Sequence, residues 1–337
     1  MIIALDAMGG DYSPQNEIEG ALLALSEDKN LKIMLVGFED KIKQALLHHP
    51  QQYKEYYDRI IIKHASQAVE MTDSAVSVVK EKKDASINVA VKEVYSGNAD
   101  AVVSAGNTGA VMASSLFGLG RIQGIERPPI LGLFPTNKNP MAILDIGANV
   151  DCKPQHLIQF AKIGYIYAKR IMNIPNPKVA LINIGEEEQK GNDLTLTTYA
   201  ALKEDKSINF IGNIEGKYLL EGNVDVAVCD GFIGNTILKF GEGVVSMFFY
   251  QIKKALKQNL FTLIAGLLLM PIFKELKRKV DYDEYGGAFL LGLKKPVIIA
   301  HGSASPKAIK NAIFKGKECV QFDIVGEIKK AIEKDKK

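Results

Sequence analysis

Polar residues of a restricted kind recur immediately after short apolar runs in this chain of 337 residues. Asn107, Asn149, Glu186, Asn213, Asp230, Asn235, His301 and Ser303 each stand where a predicted strand meets its following loop, mostly beside glycine. Amides, small hydroxyls, one imidazole and backbone N–H groups suit an oxyanion and a developing negative charge. The densest case is residues 100–116, DAVVSAGNTGAVMASSL. A short apolar strand breaks at Ala105 and Gly106, and Asn107, Thr108 and Gly109 then open a buried helix. Free N–H groups and the helix dipole make such a junction an anion site. Taken alone, the same residues also suit an ordinary tight turn, in which Gly and Asn relieve backbone strain.

Several other chemistries lack their residues. There is no G-x-S-x-G elbow, no H-E-x-x-H helix and no complete G-x-x-x-x-G-K-[ST] loop. Residues 212–218 come one position short of the last and lack a hydroxyl after Lys217. GLGRIQG at 118–124 has the wrong final spacing for a dinucleotide fingerprint and follows a helix. None of the five arginines sits just after a predicted strand, which argues against a bidentate carboxylate clamp. His48, His49 and His64 have no metal-ligand spacing. Inorganic phosphate attacking an acyl thioester remains compatible. Phosphate is largely anionic near neutral pH, and a thiol of pKa about 8.5 leaves with little acid assistance. Positioning and charge stabilisation would then suffice.

The elements that must hold these residues alternate. Apolar strands at 2–6, 31–36 and 59–63 are separated by helices near 14–25 and 39–47. Such continuous apolar strands predict a mostly parallel sheet covered on both faces. Residues 71–88 read as a solvated helix. Residues 130–134 and 141–145 read as two strands joined by PTNKNP, and a long helix follows at 154–172. Further strands are expected at 179–184, 208–211, 224–229 and 297–300, placing all the polar turns on one edge of the sheet, where open α/β sheets bind ligands.

Composition is that of a globular chain, 47% apolar and 24% charged, with no internal repeat. A net charge of +3 gives no reason to expect nucleic acid. Cys152, Cys229 and Cys319 form no C-x-x-C pair and are expected as reduced core residues of a cytoplasmic protein. MIIALDAMGGD has no basic leader and is expected as a first strand rather than a signal peptide.

One segment departs from this pattern. Residues 260–273, LFTLIAGLLLMPIF, carry no charge, yet are fewer than the roughly twenty needed to span a bilayer. Lys253, Lys254 and Lys257 precede it, and Lys274, Lys277, Arg278 and Lys279 follow. With Gly266 and Pro271 as breaks, residues 250–282 are expected to form a protruding helical hairpin. It reads either as core or dimer contact, or as a tongue at a bilayer interface. In the second reading Leu263, Leu267 and Leu268 meet lipid, and the flanking lysines could also hold an acidic carrier.

The motifs ALDAMGGD (4–11), SAGNTGA (104–110), DIGAN (145–149), NIGEEEQKGN (183–192), GNIEG (212–216), VDVAVCDGFIGN (224–235) and YGGAFLLGLKKPVIIAHGSAS (285–305) occur in that order. Together they resemble the bacterial phosphate acyltransferases of phospholipid synthesis, over almost the whole chain. The resemblance implies reversible transfer of a fatty acyl group from acyl carrier protein to inorganic phosphate, without metal or organic cofactor. The acyl phosphate would pass to a membrane glycerol-3-phosphate acyltransferase. It also implies a single three-layer α/β/α unit over 1–337, similar to isocitrate and isopropylmalate dehydrogenases, a homodimer, and peripheral association with the membrane. HGSAS departs from the family where a second serine is expected at Ala304.

On this resemblance Asn107, His301, Lys190 and Asn235 are the expected catalytic residues. Gly106, Thr108, Gly109, Asn149, Asn213, Asp230, Gly302 and Ser303 are expected around the substrates. Asp6, Asp11 and Asp230 could instead fix the glycine turns, since a carboxylate near phosphate is unfavourable unless protonated or paired. Three other readings stay open: a nicotinamide-dependent decarboxylating dehydrogenase, a short-chain phosphotransacetylase using coenzyme A, and a non-catalytic scaffold at the membrane surface.

Overall fold

The computed structural model describes residues 1–49, 51–70, 72–280 and 286–334. Its strands are Ile2–Asp6 (β1), Lys32–Gly37 (β2), Ile60–His64 (β3), Ala101–Ser104 (β4), Ile130–Phe134 (β5), Met141–Leu144 (β6), Lys178–Asn183 (β7), Asn209–Glu215 (β8), Val226–Val228 (β9), Ala288–Leu290 (β10) and Val297–Ile299 (β11). The principal helices are Gln15–Glu27 (α1), Glu39–His48 (α2), Ala75–Lys80 (α3), Ser86–Tyr95 (α4), Thr108–Leu119 (α5), Pro154–Arg170 (α6), Asp193–Glu204 (α7), Gly231–Leu256 (α8), Leu260–Val280 (α9), Pro306–Gln321 (α10) and Ile324–Lys334 (α11).

Among the described residues all eleven strands join one sheet, in the order β3-β2-β1-β4-β11-β10-β5-β6-β9-β7-β8. Alternate residues serve opposite faces: Ile3 and Leu5 enter a core with α1, α2, α6, α10 and α11, and Ala4 enters one with α3, α4 and α5. Three layers result, because strands apolar on both sides must be covered on both sides. α1 lies so close to α10 that a Cβ at Gly20 would stand 2.6 Å from Ile309 Cβ.

The sheet is parallel in each half, but its middle reverses. β11–β10, β10–β5 and β5–β6 are antiparallel pairings. β1, β4 and β11 therefore point to one edge, and β6, β9, β7 and β8 to the other. This corrects the single polar edge read from the sequence. The turns after β1, β4 and β11 form a first group; those after β6, β9 and β7 form a second, at the opposite edge. α5 and α8 nevertheless pack on the same face of the sheet, so the two groups border one face from its two ends.

Other expectations shift locally. Residues 212–215 do not follow a strand: they belong to β8, with Gly212 at φ +105 beside a register shift in the β7–β8 pairing, and Gly216 opens the helical turn after it. Glycine in a strand here marks a bulge rather than a loop. The stretch expected as one solvated helix from Met71 divides into α3 and α4, and α4 buries Ser86 and Ile87; Met71 itself lies outside the described residues. The hairpin turns at 257–259, not at Gly266 or Pro271, and extends from α8 through α9. Asn259 and Thr262 cap α9 reciprocally, Thr262 N donating to Asn259 Oδ1 at 2.9 Å and Asn259 N to Thr262 Oγ1 at 3.2 Å. Gly266 instead lies against Leu256, where its missing side chain lets the helices approach. Asp281, Tyr282 and Tyr285 lie outside the described residues.

Among the described residues no helix is long and apolar enough to cross a membrane.

Gly20→Ala tests the α1–α10 contact. Alanine in a helix interior normally gains up to about 1 kcal/mol over glycine. Here overpacking should reverse the sign, with a loss of about 1–3 kcal/mol in urea unfolding.

Candidate active site

β1 and β4 end side by side, with Asp6 in register with Ser104. Ser104 Oγ donates to Asp6 Oδ2 at 2.7 Å, and Met8 N donates to Asp6 Oδ1 at 3.2 Å. Ser86 also hydrogen-bonds this carboxyl. Burial pushes the Asp6 carboxyl up from the usual carboxylate range, while these three donors pull it down. Ser104 Oγ in turn accepts from Gly106 N at 3.1 Å, so the buried Asp6 shapes the turn that opens α5.

Two glycines let the neighbouring turns close on it. A Cβ at Gly9 would lie 2.8 Å from Gly106 N. A Cβ at Gly10 would meet Glu17, lie 3.2 Å from Gly302 O and 3.5 Å from Ala105 Cβ. Asp11 N donates to Gly302 O at 2.8 Å. The turns after β1, β4 and β11 are thus one packed unit. Asn107 caps α5, accepting from Ala110 N at 3.0 Å, and Ser305 caps α10, accepting from Ala308 N at 3.2 Å. Two helix N-termini consequently meet at this edge, one from each face of the sheet. The first N–H groups of α5, at Thr108 and Gly109, have no carbonyl within the helix to bond. Thr108 and Gly109 are exposed, as are His301 and Ser303. His301 Nδ1 accepts from Ser303 N at 3.2 Å and lies 2.8 Å from Ser303 Oγ, which leaves the proton of the neutral ring on Nε2.

Ala304, at the departure from the family pattern, is 4% exposed, and its carbonyl accepts from Asn16 Nδ2 at 2.9 Å. Its side chain packs into the core, so the missing hydroxyl does not face this edge.

The second group is built on Asp145. Its Oδ1 accepts from Ile130 N, Gly147 N and Ala148 N at 3.0–3.1 Å. Its Oδ2 accepts from Asn149 N at 2.6 Å and Asn149 Nδ2 at 2.8 Å. Burial raises the Asp145 carboxyl, and the surrounding hydrogen bonds oppose that rise. Every one of these five neighbours donates, so the cradle fits the carboxylate form. Asn149 also donates to Pro128 O at 3.0 Å; it is 7% exposed and works as a brace for this turn. α8 seats on the turn through Gly231 and Gly234, and Gly231 N donates to Asn149 O at 2.8 Å. Asp230 caps α8 by accepting from Ile233 N at 2.9 Å. Asn235 is exposed beside Gly147, whose Cβ would lie 3.7 Å from Asn235 Oδ1. Lys190 is exposed on the loop after β7, which Asn213 Nδ2 supports by donating to Glu187 O at 2.9 Å.

The hairpin encloses a third feature. A groove of about 1310 Å³ lies between α8, α9 and residues 133–137 at the end of β5. β5 runs with β4, so this end of β5 belongs to the first edge. Leu263 and Leu267 line the groove with Lys253 and Lys257. Leu268 is 76% exposed, Lys274 and Arg278 are also exposed, and the Lys277 side chain lies outside the described residues.

Neither Glu17 nor the Asp145 cradle was expected from the sequence. Glu17 does stand four residues before Ala21 and eight before Leu25, on the apolar stripe of α1. An acidic residue at that spacing is the signal that marks it.

The model of a family described as "Fatty acid synthesis protein" matches residues 1–326. The "Phosphate acyltransferase" of Dictyoglomus turgidum is 49% identical over 335 residues, covering 99% of this chain and 98% of its own. Among solved structures, a phosphotransacetylase from Streptococcus pyogenes aligns with a TM-score of 0.59 at 18% identity, over 96% of this chain and 94% of that one. A 4-hydroxythreonine-4-phosphate dehydrogenase from Klebsiella pneumoniae aligns with a TM-score of 0.50 at 13% identity, over 95% and 99%. At such identities these two likenesses show the α/β fold.

The two aspartates at the second edge should separate on mutation. Asp145→Asn places an amide against groups that only donate, and should cost about 3 kcal/mol in urea unfolding. Asp230→Asn keeps a good cap and should change stability by less than about 0.5 kcal/mol.

Proposed function

This chain belongs to the phosphate acyltransferase family of fatty acid synthesis proteins, and from that premise we propose that it moves a fatty acyl group from acyl carrier protein to inorganic phosphate. One observation carries the reading: three glycine turns and the N-termini of α5 and α10 meet at one edge, on the same edge as an apolar groove. The turns offer N–H groups to an anion, and the groove offers apolar surface to a chain.

Phosphate would sit at Gly106, Asn107, Thr108 and Gly109, facing Gly302 and Ser303. One of its oxygens attacks the thioester carbonyl carbon; the carbonyl electrons form an oxyanion, then expel the thiolate and leave acyl phosphate. The nucleophile is already anionic and the leaving thiolate is stable, so donors that hold the oxyanion are the main demand on the protein. His301 Nε2–H would donate to phosphate or to the departing sulfur. Asn235 and Lys190 stand at the opposite edge of the sheet from these turns and are given no part in this step. Asn149, Asn213 and Asp230 hold the loops that present them. No step here calls for a metal or an organic cofactor.

The apolar groove favours a long acyl chain over an acetyl group, and hence a carrier-bound fatty acyl donor over a short coenzyme A thioester. Lysines on the hairpin suit an acidic carrier protein, and its exposed leucines suit a membrane surface. We extend the proposal to a homodimer that hands acyl phosphate to a membrane glycerol-3-phosphate acyltransferase.

The deciding experiment incubates purified protein with long-chain acyl carrier protein and follows phosphate-dependent release of carrier thiol. Release is expected, and faster than with coenzyme A thioesters of any chain length. No phosphate-dependent release would leave a scaffold; preference for acetyl-coenzyme A would leave a phosphotransacetylase. Asn107→Ala should raise the phosphate KM or lower kcat about tenfold with the fold intact; unchanged kinetics would remove this turn from the site. Leu268→Glu should weaken sedimentation with anionic vesicles while sparing activity in a soluble assay. A fall in thermal stability would instead make that position part of the core.

A further inference from the structure

Beneath the first group lies a carboxyl that the proposed chemistry does not use. Glu17 projects from the first turn of α1 and is 1% exposed. It lies against Gly10, the residue wedged between Ala105 and Gly302, and its carboxyl accepts from its own backbone N–H and from the Gly10 N–H. Glu17 Oε2 has no hydrogen-bond partner. A buried carboxyl with a free oxygen is poorly compensated when charged, in contrast to Asp145 with its five donors. The charged groups that bear on it are both acidic: Asp6 from β1 and Asp11 from the turn.

We propose that Glu17 is a positioning residue through which pH tunes anion binding at the turns after β1, β4 and β11. Protonated, it supports Gly10 without adding charge beneath the N-terminus of α5. Ionised, it places a third negative charge beside Asp6 and Asp11, directly under the surface that would receive an anion. Burial is the largest influence on this carboxyl and raises it to about 7, so the change falls near neutrality. The sign is fixed by the charge. Below that value the glutamic acid is neutral and an anion binds best; above it the carboxylate repels the anion and affinity falls.

The inference rests on the first group being the phosphate site, but its test does not need turnover. Sulfate is the probe, because its charge does not change between pH 6 and 8 and phosphate's does. Calorimetric titration should show sulfate binding to the wild-type protein weakening about fivefold from pH 6 to 8. Glu17→Gln and Glu17→Val should both weaken less than wild type over that range, and at pH 8 should bind sulfate more tightly than wild type. His301, on the turn touching Gly10 from the other side, is common to all three proteins, so their difference isolates Glu17. Parallel weakening in wild type and both variants would overturn the inference, and so would absence of sulfate binding in all three. Failure of acyl transfer to phosphate, with the sulfate pattern intact, would overturn the proposed reaction and leave Glu17's role standing.

Discussion

The reversal of strand sense between β11 and β6 governs where every polar turn of this protein can lie. Three antiparallel pairings in the middle of the sheet turn its second half over relative to its first. A helix following a parallel strand starts at that strand's C-terminal end. α5 and α10 therefore present their N-termini at one edge and α8 at the other. The same reversal sends α8 from the 145–149 turn across the sheet toward the first edge, where the end of β5 and the hairpin enclose a groove. Without it, the glycine turns of the first group and the apolar groove would not open at the same edge.

Each half then solves the same problem with the same device. A buried aspartate closes a strand, Asp6 at the end of β1 and Asp145 just after β6, and its carboxyl organises the glycine turn that follows. Burying such a charge is costly unless donors surround it. Asp145 draws those donors chiefly from backbone N–H groups, and Asp6 from one N–H, at Met8, and the hydroxyls of Ser104 and Ser86. The glycines that follow each aspartate leave open the space through which a second loop approaches. Gly9 and Gly10 admit the turns after β4 and β11, and Gly231 and Gly234 seat α8 on the Asp145 turn. Glu17 shares the burial but has fewer donors, its own backbone N–H and that of Gly10, with Oε2 unpartnered.

Much of this was legible because it is local. Apolar runs bounded by glycine mark β1, β2, β4, β7 and β11, and the G-N-T and H-G-S-A-S turns mark the first group directly. Cap chemistry also reads locally: Asn107, Asp230 and Ser305 all stand one residue before their helices. What escaped is non-local. β10 has three residues and continues almost unbroken toward β11 in the sequence, so neither its separate identity nor its antiparallel sense is visible there. Strand order decides that Asn107 and Asn235 lie at opposite edges, and no residue type encodes strand order. Gly212 and Pro271 misled for a related reason. Both are breakers in isolation, yet a bulge absorbs the first and a 21-residue helix carries the second. The signal for the true hairpin turn was the Asn259–Thr262 cap, a polar pair hidden between two stronger apolar patterns.

α8 carries two apolar stripes, and their difference bears on the product. Ile237, Gly241, Val245, Phe249 and Leu256 face the groove. Met247 and Phe248 face outward, each more than half exposed, while the exposed Phe240 stands at the rim of the groove. A soluble domain that needed only a core would not maintain the second stripe. The proposed product joins an anionic head to an apolar tail. Releasing a long tail into water costs about 0.8 kcal/mol per methylene, on the order of 10 kcal/mol for a long fatty chain. An enzyme whose apolar wall ended at the reacting carbonyl would meet that cost at every release. In the proposed reaction, a groove that opens at the edge of the glycine turns and continues to an exposed apolar, lysine-flanked tip would lower that cost, because the tail would have an apolar path out of the site.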